Sequence, residues 1–319
     1  MIRLEEELFG VKTLGVAGHV RPDGDCMGAC LAVKSYIQDN FPGISTDIYL
    51  ETKNRSYMFL RGADEIITEA GGYKEYDLFI SIDVSTKERL GFAEKYFDAA
   101  KRTLCIDHHV TNPGFALKNW VDGAASSASE MIYLTMDDDL ISKETAECLY
   151  VGIINDTGVF QYSGTTERTM QIAGRLMSKG IEFTRIIEDS FYKKTYVQNQ
   201  ILGRTLMESI LLLDGRVIVG GIRMKDMDFY GVGPQDLEGI VSQLRVTEGV
   251  EVAIFLHETA NQEYKVSLRS NGKVDVSAIC SYFGGGGHVK AAGATLRGSY
   301  YDVINNLTLH IENQLNELE

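Results

Sequence analysis

The sequence lacks any long apolar run, and none of its hydrophobic stretches approaches the roughly 20 residues that a membrane-spanning helix needs. Its beginning, MIRLEEELFG, also lacks the basic segment followed by an apolar core that marks a secretion signal. We therefore expect a cytoplasmic protein without a membrane partner.

Cysteine is scarce and odd in number, with five residues in a chain of 319. The cysteines lie singly in apolar surroundings or four residues apart, as Cys26 and Cys30, so they do not form a disulfide framework. Cys26 and Cys30 have helical spacing, but no second cysteine pair completes a tetrahedral metal site. We expect reduced thiols that pack in the core.

Basic residues are also few, since 31 Lys and Arg face 45 Asp and Glu and leave a formal charge of −14. Binding to a long nucleic-acid duplex relies on many phosphate-neutralising Lys and Arg residues, so this composition argues against such a ligand. A short anionic ligand stays compatible with it, because bound cations and a local basic pocket act at close range.

The N-terminal half alternates short apolar runs with helical patterns, which is typical of an α/β domain with a mainly parallel sheet. From Thr166 to about Leu213 the pattern is almost wholly helical, and strand-like runs resume after Asp214-Gly215. We predict a catalytic domain over residues 1–190, a connecting helix over 191–214 and a smaller α/β domain over 215–319. We expect the two domains to face each other across a cleft.

Four clusters of acidic residues and histidines lie at the ends of predicted elements in the N-terminal half. They are His19-Val-Arg-Pro-Asp23-Gly-Asp25, Asp83 in LFISIDVS, Asp107-His108-His109 after an apolar run, and Asp156 in VGIINDTG. Ligands of parallel α/β sheets bind at the carboxyl ends of the strands, so these clusters predict one common site.

The charges of these clusters predict metal ions. Asp23, Asp25, Asp83 and Asp156 in one place would repel each other unless protons or cations neutralised them, and two divalent ions cancel that charge. A mixture of carboxylates with His19 and His108, without cysteine, favours Mn²⁺ over Mg²⁺, Co²⁺ or Fe²⁺. Asp83 is isolated from the other ligands in sequence and follows the predicted central strand, so we expect it to bridge the two ions.

Each motif alone also has an ordinary structural interpretation. Asp25 could cap a helix that starts at Cys26, and Asp83 and Asp156 could be unremarkable ends of a strand and a helix. In AASSASE, Ser126 or Ser127 is expected to cap a helix rather than bind phosphate. We interpret His257 and His310 as surface or packing residues.

HVRPDGD, SIDVS, IDHH and INDTG together resemble, in the same order, the four motifs of the DHH phosphoesterase superfamily. SLRS and GGGGHVKAAGAT resemble the accessory DHHA1 domain of one branch. The length and the domain pair are most similar to the subfamily of bifunctional oligoribonucleases and phosphatases of 3′-phosphoadenosine-5′-phosphate (pAp). The resemblance implies hydrolysis of short RNA or pAp by a water that two metal ions activate, without a covalent intermediate.

The same resemblance implies the ligands. One Mn²⁺ would be held by His19, Asp23 and Asp83, and the other by Asp25, Asp83, His108 and Asp156. Asp107 would orient the histidines and His109 would face the substrate. Superfamily members are often dimers, which leaves a homodimer open by analogy.

The glycine turn of the second domain predicts an anion site. Gly285, Gly286 and Gly287 let backbone N–H groups approach a phosphate closely, and His288 and Arg269 offer charge-assisted donors. We expect them to bind the phosphate or base end of the substrate. Metal ions on one domain and this anion site on the other would favour substrates of a few nucleotides.

Three other functions remain as alternatives. A phosphodiesterase for linear or cyclic dinucleotides would share the metal motifs, but a signalling role would call for sensor or membrane segments. A pyrophosphatase or exopolyphosphatase would be expected to surround its phosphates with more Lys and Arg. A non-catalytic nucleotide-binding module is expected to have lost a metal ligand, and every ligand position here is filled.

Overall fold

The computed structural model describes residues 2–317 of the chain. The protein folds into two compact units, the first ending at Lys193 and the second beginning at Lys194. Over the described range, no helix combines the length and the apolar character needed to cross a membrane.

The first unit is built on a five-stranded sheet. Its strands are β1 (Thr13–Ala17), β2 (Ser45–Tyr49), β3 (Leu78–Ile82), β4 (Thr103–Asp107) and β5 (Lys118–Val121). All neighbours are parallel, in the order β2-β1-β3-β4-β5, which confirms the predicted parallel α/β sheet. The chain leaves β1 for β2 on one side and then reaches β3 on the other. This places a topological switch point, where such sheets bind ligands, at the carboxyl ends of β1 and β3.

The apolar runs TLGVAG, TDIYL, DLFISID and TLCID predict four of these strands, β1 to β4, whereas β5 was missed. Strands β3 and β4 are buried along their whole length, as expected for apolar runs inside a parallel sheet. The residues of β5, at the sheet edge, are exposed or half-buried and include Lys118 and Asn119, so they carry no strand pattern.

Helices cover the sheet and supply part of the site. They are α1 (Leu4–Glu7), α2 (Gly24–Asn40), α3 (Glu94–Ala99), α4 (Ala128–Thr135), α5 (Lys143–Asp156), α6 (Glu167–Ser178) and α7 (Phe183–Ile187). In α2 every residue from Gly24 to Ile37 is buried. A helix buried on all sides lies in the interior of its unit, so the start of α2 is held firmly.

Two glycines let α2 and α5 approach each other closely. A Cβ on Gly28 of α2 would lie 2.5 Å from the carbonyl oxygen of Cys148 and 2.9 Å from the backbone nitrogen of Gly152, both on α5. Only a residue without a side chain fits there. The close crossing brings the start of α2, which carries Asp25, next to α5, which ends at Asp156.

The second unit contains a six-stranded mixed sheet. Its strands are β6 (Ile210–Leu212), β7 (Val217–Ile222), β8 (Val252–Ala260), β9 (Glu263–Ser270), β10 (Gly286–His288) and β11 (Ala291–Arg297). The order is β10-β11-β9-β8-β7-β6, with β7 and β8 parallel and the other neighbours antiparallel. Its helices are α8 (Tyr196–Met207), α9 (Met224–Tyr230), α10 (Ile240–Arg245), α11 (Val276–Tyr282) and α12 (Tyr300–Asn316).

Each face of this sheet has its own core. Alternate residues of β9 are buried and pack with apolar residues of α11 and α12. Residues of α8 and α10 pack on the opposite face, against β7 and β8. His257 of β8 is buried with only 6% of its surface exposed, and the half-buried His310 packs against the ring of Tyr282.

The helix predicted over 191–214 is shorter in the structure. Helix α8 begins after Thr195, whose side chain accepts a hydrogen bond from the backbone of Gln198, and ends at Met207. Ile210–Leu212 form β6 instead, because this apolar run pairs with β7 across the turn at Asp214 and Gly215. The first strand of the second unit therefore lies inside residues 191–214, for which the helical pattern predicted a connecting helix.

Candidate metal centre

Asp83 lies at the middle of the predicted site, directly after β3. Its φ angle of 61° is in the left-handed region, which a non-glycine residue adopts only when its surroundings hold it there. Its backbone nitrogen donates to the carbonyl oxygen of Ile106 at 3.0 Å, and only 2% of its surface is exposed. The carboxylate is thereby fixed at the switch point of the sheet.

The two oxygens of Asp83 face two different histidines. Oδ2 lies 3.4 Å from Nε2 of His19, and Oδ1 lies 3.4 Å from Nε2 of His108. Oδ1 is buried and makes no hydrogen bond among the described residues. A buried carboxylate oxygen without a donor is a costly arrangement that a bound cation would relieve.

The loop after β1 positions His19. Its Nδ1 lies 2.9 Å from the carbonyl oxygen of Val20 and donates to it, which leaves Nε2 as the ligand nitrogen of the neutral ring. Nε2 also lies 3.7 Å from Oδ2 of Asp23, and the side chain of Asp23 is 57% exposed. Cys26 adds an unexpected donor, because its Sγ, a ring nitrogen of His19 and an oxygen of Asp83 all lie within 4.8 Å of one another.

Asp25 does not cap its own helix, so that structural interpretation is wrong. Asp23 is the residue that caps α2, accepting hydrogen bonds from the backbone nitrogens of Asp25 and Cys26. The carboxylate of Asp25 instead accepts from the backbone nitrogens of Ala128 and Ser129, at 2.6 and 2.9 Å. These belong to the first turn of α4, where the helix dipole favours a negative charge.

Asp25, His108 and Asp156 form a second group of ligand atoms within 4.8 Å of one another. Nε2 of His108 lies 3.1 Å from Oδ2 of Asp156 at the end of α5. The predicted cap of α4 is confirmed, since Ser127 Oγ accepts a hydrogen bond from the backbone nitrogen of Glu130. That cap keeps the start of α4 in place beneath Asp25.

Asp107 contacts His109 rather than His108. Nδ1 of His109 donates to Oδ1 of Asp107 at 2.7 Å, and the amide of Asn112 donates to Oδ2 at 2.7 Å. Asp107 is fully buried, so this pair is rigid. Sequence reasoning missed Asn112, which no motif distinguishes from an ordinary loop residue.

The electrostatics of the cluster agree with a site for cations. Burial raises the pKa of Asp25 and of Asp156, and neighbouring carboxylates add to the effect. Burial alone would lower the pKa of His19 and His108, but the surrounding acidic groups outweigh it and raise both to about 12. Burial also opposes the charged form of Asp83, yet these two histidines hold its pKa well below its usual range.

The residues present fit two divalent cations. Two ligands about 2.1 Å from one ion lie roughly 3.0–3.4 Å apart at ordinary coordination angles. The contacts of Asp83 with His19 and His108, and of His108 with Asp156, measure 3.1–3.4 Å. The protons that the histidines hold without metal would be released on binding, since a ligating imidazole is neutral.

The second unit brings two of its predicted residues to one face of the sheet. Arg269 of β9 and His288 of β10 are both in register with Ala291, on the strand between them. The guanidinium of Arg269 donates to the carbonyl oxygen of Leu268 at 2.9 Å.

The predicted glycine turn is partly a strand, because Gly286 and Gly287 belong to β10. A Cβ on Gly285 or Gly287 would lie 2.2 or 2.4 Å from a carbonyl oxygen of Gly293 or Ala291. These two glycines are therefore required for close packing on β11.

Comparison with known proteins agrees with this architecture. Residues 13–153 match the model of the DHH family N-terminal domain, and residues 214–317 match the DHHA1 domain. The chain therefore contains a DHH family N-terminal domain followed by a DHHA1 domain.

Several relatives share most of its length. It is 28% identical to the bifunctional oligoribonuclease and PAP phosphatase NrnA of Bacillus subtilis (strain 168), over 87% of each chain. It is also 28% identical to NrnA of Thermus thermophilus, over 89% of this chain and 84% of that protein.

Solved structures show the same fold. An exopolyphosphatase-related protein from Bacteroides fragilis superposes with a TM-score of 0.90 at 22% identity, covering 99% of this chain and 96% of that one. RecJ of Thermus thermophilus in complex with Mn²⁺ has a TM-score of 0.52 at 12% identity, over 97% of this chain and 53% of RecJ.

Proposed function

We propose that this protein is a phosphoesterase that hydrolyses short oligoribonucleotides and pAp. The observation that carries the proposal is the convergence of His19, Asp25, Asp83, His108 and Asp156 at the carboxyl edge of the parallel sheet. The proposal also draws on the relatives whose names describe a bifunctional oligoribonuclease and PAP phosphatase.

The centre would hold two divalent ions, of which Mn²⁺ suits the donors best and Mg²⁺ or Co²⁺ are the alternatives. His19, Asp23 and Asp83 would hold one ion. The other would be held by Asp25, Asp83, His108 and Asp156, with Asp83 shared between them. When bound, such ions lower the pKa of water and neutralise charge on phosphoryl oxygens.

The hydrogen bond from His109 to Asp107 gives the protein its own contribution to proton transfer. Because Nδ1 of His109 donates to a buried carboxylate at 2.7 Å, the ring orientation is fixed and Nε2 is the nitrogen that would face the substrate. His109 would give a proton to the leaving oxygen or stabilise charge on the non-bridging oxygens. Asp107 is then a positioning residue that acts through His109.

Arg269, the glycines 285–287 and His288 would bind the phosphate or base end of the substrate. Arg269 and His288 share one face of the sheet, and a guanidinium with an imidazole beside it offers charge-assisted donors to a phosphate. The chain is acidic overall, so a short ligand held by a few such donors is favoured over a long strand.

A substrate panel tests the proposal. The full chain with Mn²⁺ is given pAp, pApA, RNA of two to five nucleotides, long RNA, a cyclic dinucleotide and pyrophosphate, and phosphate or nucleotide release is measured. We expect turnover of pAp and the short RNAs to exceed that of long RNA greatly. Asp83→Ala should abolish it, whereas Asp98→Ala, which removes an exposed partner of Lys87, should not.

Three results would contradict the proposal. A preference for long RNA would contradict the expected preference for short substrates. A preference for pyrophosphate or a cyclic dinucleotide would indicate another activity of the superfamily. A protein that binds Mn²⁺ and cleaves none of the panel would be a nucleotide-binding module.

A further inference from the structure

Cys26 places a sulfur atom inside the candidate metal centre. We propose that Cys26 is a ligand of the cation that binds at His19 and Asp83, and that it shifts this position towards softer ions. The inference rests on the metal centre of the proposed function. Its basis is the group formed by Cys26 Sγ, a nitrogen of His19 and an oxygen of Asp83, all within 4.8 Å of one another.

The spacing of this group suits a single ion. A sulfur at about 2.3 Å and a nitrogen at about 2.1 Å from one metal are at most about 4.4 Å apart, so a small side-chain rotation completes the site. All three residues are buried, with exposed fractions of 0% for Cys26, 5% for His19 and 2% for Asp83. A second observation supports cations at this carboxylate, because the other oxygen of Asp83, Oδ1, which faces His108, is buried without a hydrogen bond.

The fold makes room for the sulfur. Cys26 lies in the first turn of α2, next to the loop that carries His19. Gly18, beside His19, leaves the space that the sulfur occupies, and the side chain of Cys30 is hydrogen-bonded to Cys26. A Cβ on Gly18 would lie 2.1 Å from Sγ of Cys26, so any larger residue would push the sulfur away.

Cys26 and Asp23 are then alternative donors to one ion. One oxygen of Asp23 caps α2 and its side chain is 57% exposed, whereas the thiol of Cys26 is buried next to His19 and Asp83. Hard ions such as Mn²⁺ and Mg²⁺ prefer the carboxylate oxygen, and Co²⁺, Zn²⁺ or Cd²⁺ accept sulfur readily. When the sulfur binds the ion, the thiol proton is released to the solvent, and a metal–sulfur bond replaces the S–H bond.

Cobalt absorption tests the inference directly. The metal-free full chain is titrated with Co²⁺ while calorimetry records binding and near-ultraviolet absorption records thiolate-to-cobalt charge transfer. We expect a charge-transfer band in the wild type and in Cys30→Ser, and its loss in Cys26→Ser and Cys26→Ala. Cys30 is the control, since it is equally buried, lies one turn further along α2 and is the thiol next to Cys26, so a band that survives Cys30→Ser does not come from the neighbouring sulfur.

The affinity for Cd²⁺ should also fall roughly tenfold or more in the Cys26 variants, with a smaller change for Mn²⁺. Thermal unfolding shows whether each variant is folded, and Cys26→Ala keeps most of the packing if Cys26→Ser does not. Co²⁺ binding without the band in the wild type, or a band that persists in Cys26→Ala, would contradict the role of Cys26 as a ligand. Neither result would contradict the metal centre of the proposed function. No Co²⁺ or Mn²⁺ binding at all would overturn the centre itself.

Discussion

Gly152 connects the packing of the helices to the geometry of the centre, so Gly152→Ala is a sharp test of both. A Cβ on Gly152 would lie 1.9 Å from Oγ of Ser129 and 2.6 Å from Oδ1 of Asp25. Ordinary contact begins near 3.4 Å. The serine hydroxyl can rotate away, but Cβ of Ser129, at 2.7 Å, cannot, and the Asp25 carboxylate is held by two backbone N–H donors of α4 and must move with them.

The size of the effect follows from that displacement. Asp25 would have to retreat by about 0.8 Å, and overpacking of this kind costs about 1–3 kcal/mol. Alanine regains about 0.5–1 kcal/mol of helix propensity, which leaves a net loss of roughly 1–2 kcal/mol. For a unit of this size the melting temperature should fall by about 2–8 °C. Displacing a metal ligand by this distance should weaken Mn²⁺ binding by about tenfold or more.

The assay compares Gly152→Ala with Gly174→Ala by thermal unfolding and by calorimetric titration with Mn²⁺. Gly174 lies in the interior of α6, and a Cβ there would meet nothing within 4 Å. The control should therefore be slightly stabilised and bind Mn²⁺ as the wild type does. A Gly152→Ala protein with undiminished melting temperature and Mn²⁺ affinity would refute both the close packing and the placement of Asp25 as a ligand.

Three further predictions concern other parts of the molecule. Asp107→Asn removes the negative charge and one of the two acceptor oxygens that hold His109 and Asn112, so steady-state kinetics with pAp should show kcat lower by about 10²-fold or more with little change in KM or bound metal; an unchanged kcat would contradict the positioning role. Arg269→Ala should raise KM for pAp by about tenfold or more with kcat nearly constant, and Arg269→Lys should recover only part of it; equal KM in all three proteins would exclude Arg269 from the substrate site. Burial lowers the pKa of His257 to about 4, so between about pH 6.5 and 4 the unfolded chain binds a proton that the folded chain does not. The free energy of unfolding should therefore decrease as the pH falls through this range, by at most about 3 kcal/mol. His257→Leu should flatten this dependence in pH-dependent urea unfolding, and His310→Leu should not; an unaltered slope in His257→Leu would show that another group is responsible.

The sequence was sufficient for the parallel sheet and for the gathering of the motifs. Apolar runs of strand length end at His19, Asp83 and Asp107, and the carboxyl ends of parallel strands meet at one edge whatever the details of the loops. The two-cation hypothesis followed from charge alone, because several carboxylates converging at one point need neutralising.

The remaining features depend on contacts between distant residues. Asp25 accepts hydrogen bonds from residues more than 100 positions away, so nothing local distinguished a capping carboxylate from one anchored on α4. The sequence predicted Cys26 to be a core residue, whereas in the structure the loop after β1 places His19 beside its sulfur and the end of β3 places Asp83 there. Strand β5 and the early end of α8 were missed for a similar reason, since edge pairing outweighs local pattern.

The most direct test of the central claim is a crystal of the full chain grown with Mn²⁺ and measured at the manganese absorption edge. We predict two anomalous peaks on either side of the Asp83 carboxylate, one beside His19 and the other beside His108 and Asp156. A map without peaks at these residues, or with Mn²⁺ only at a surface site elsewhere, would contradict it.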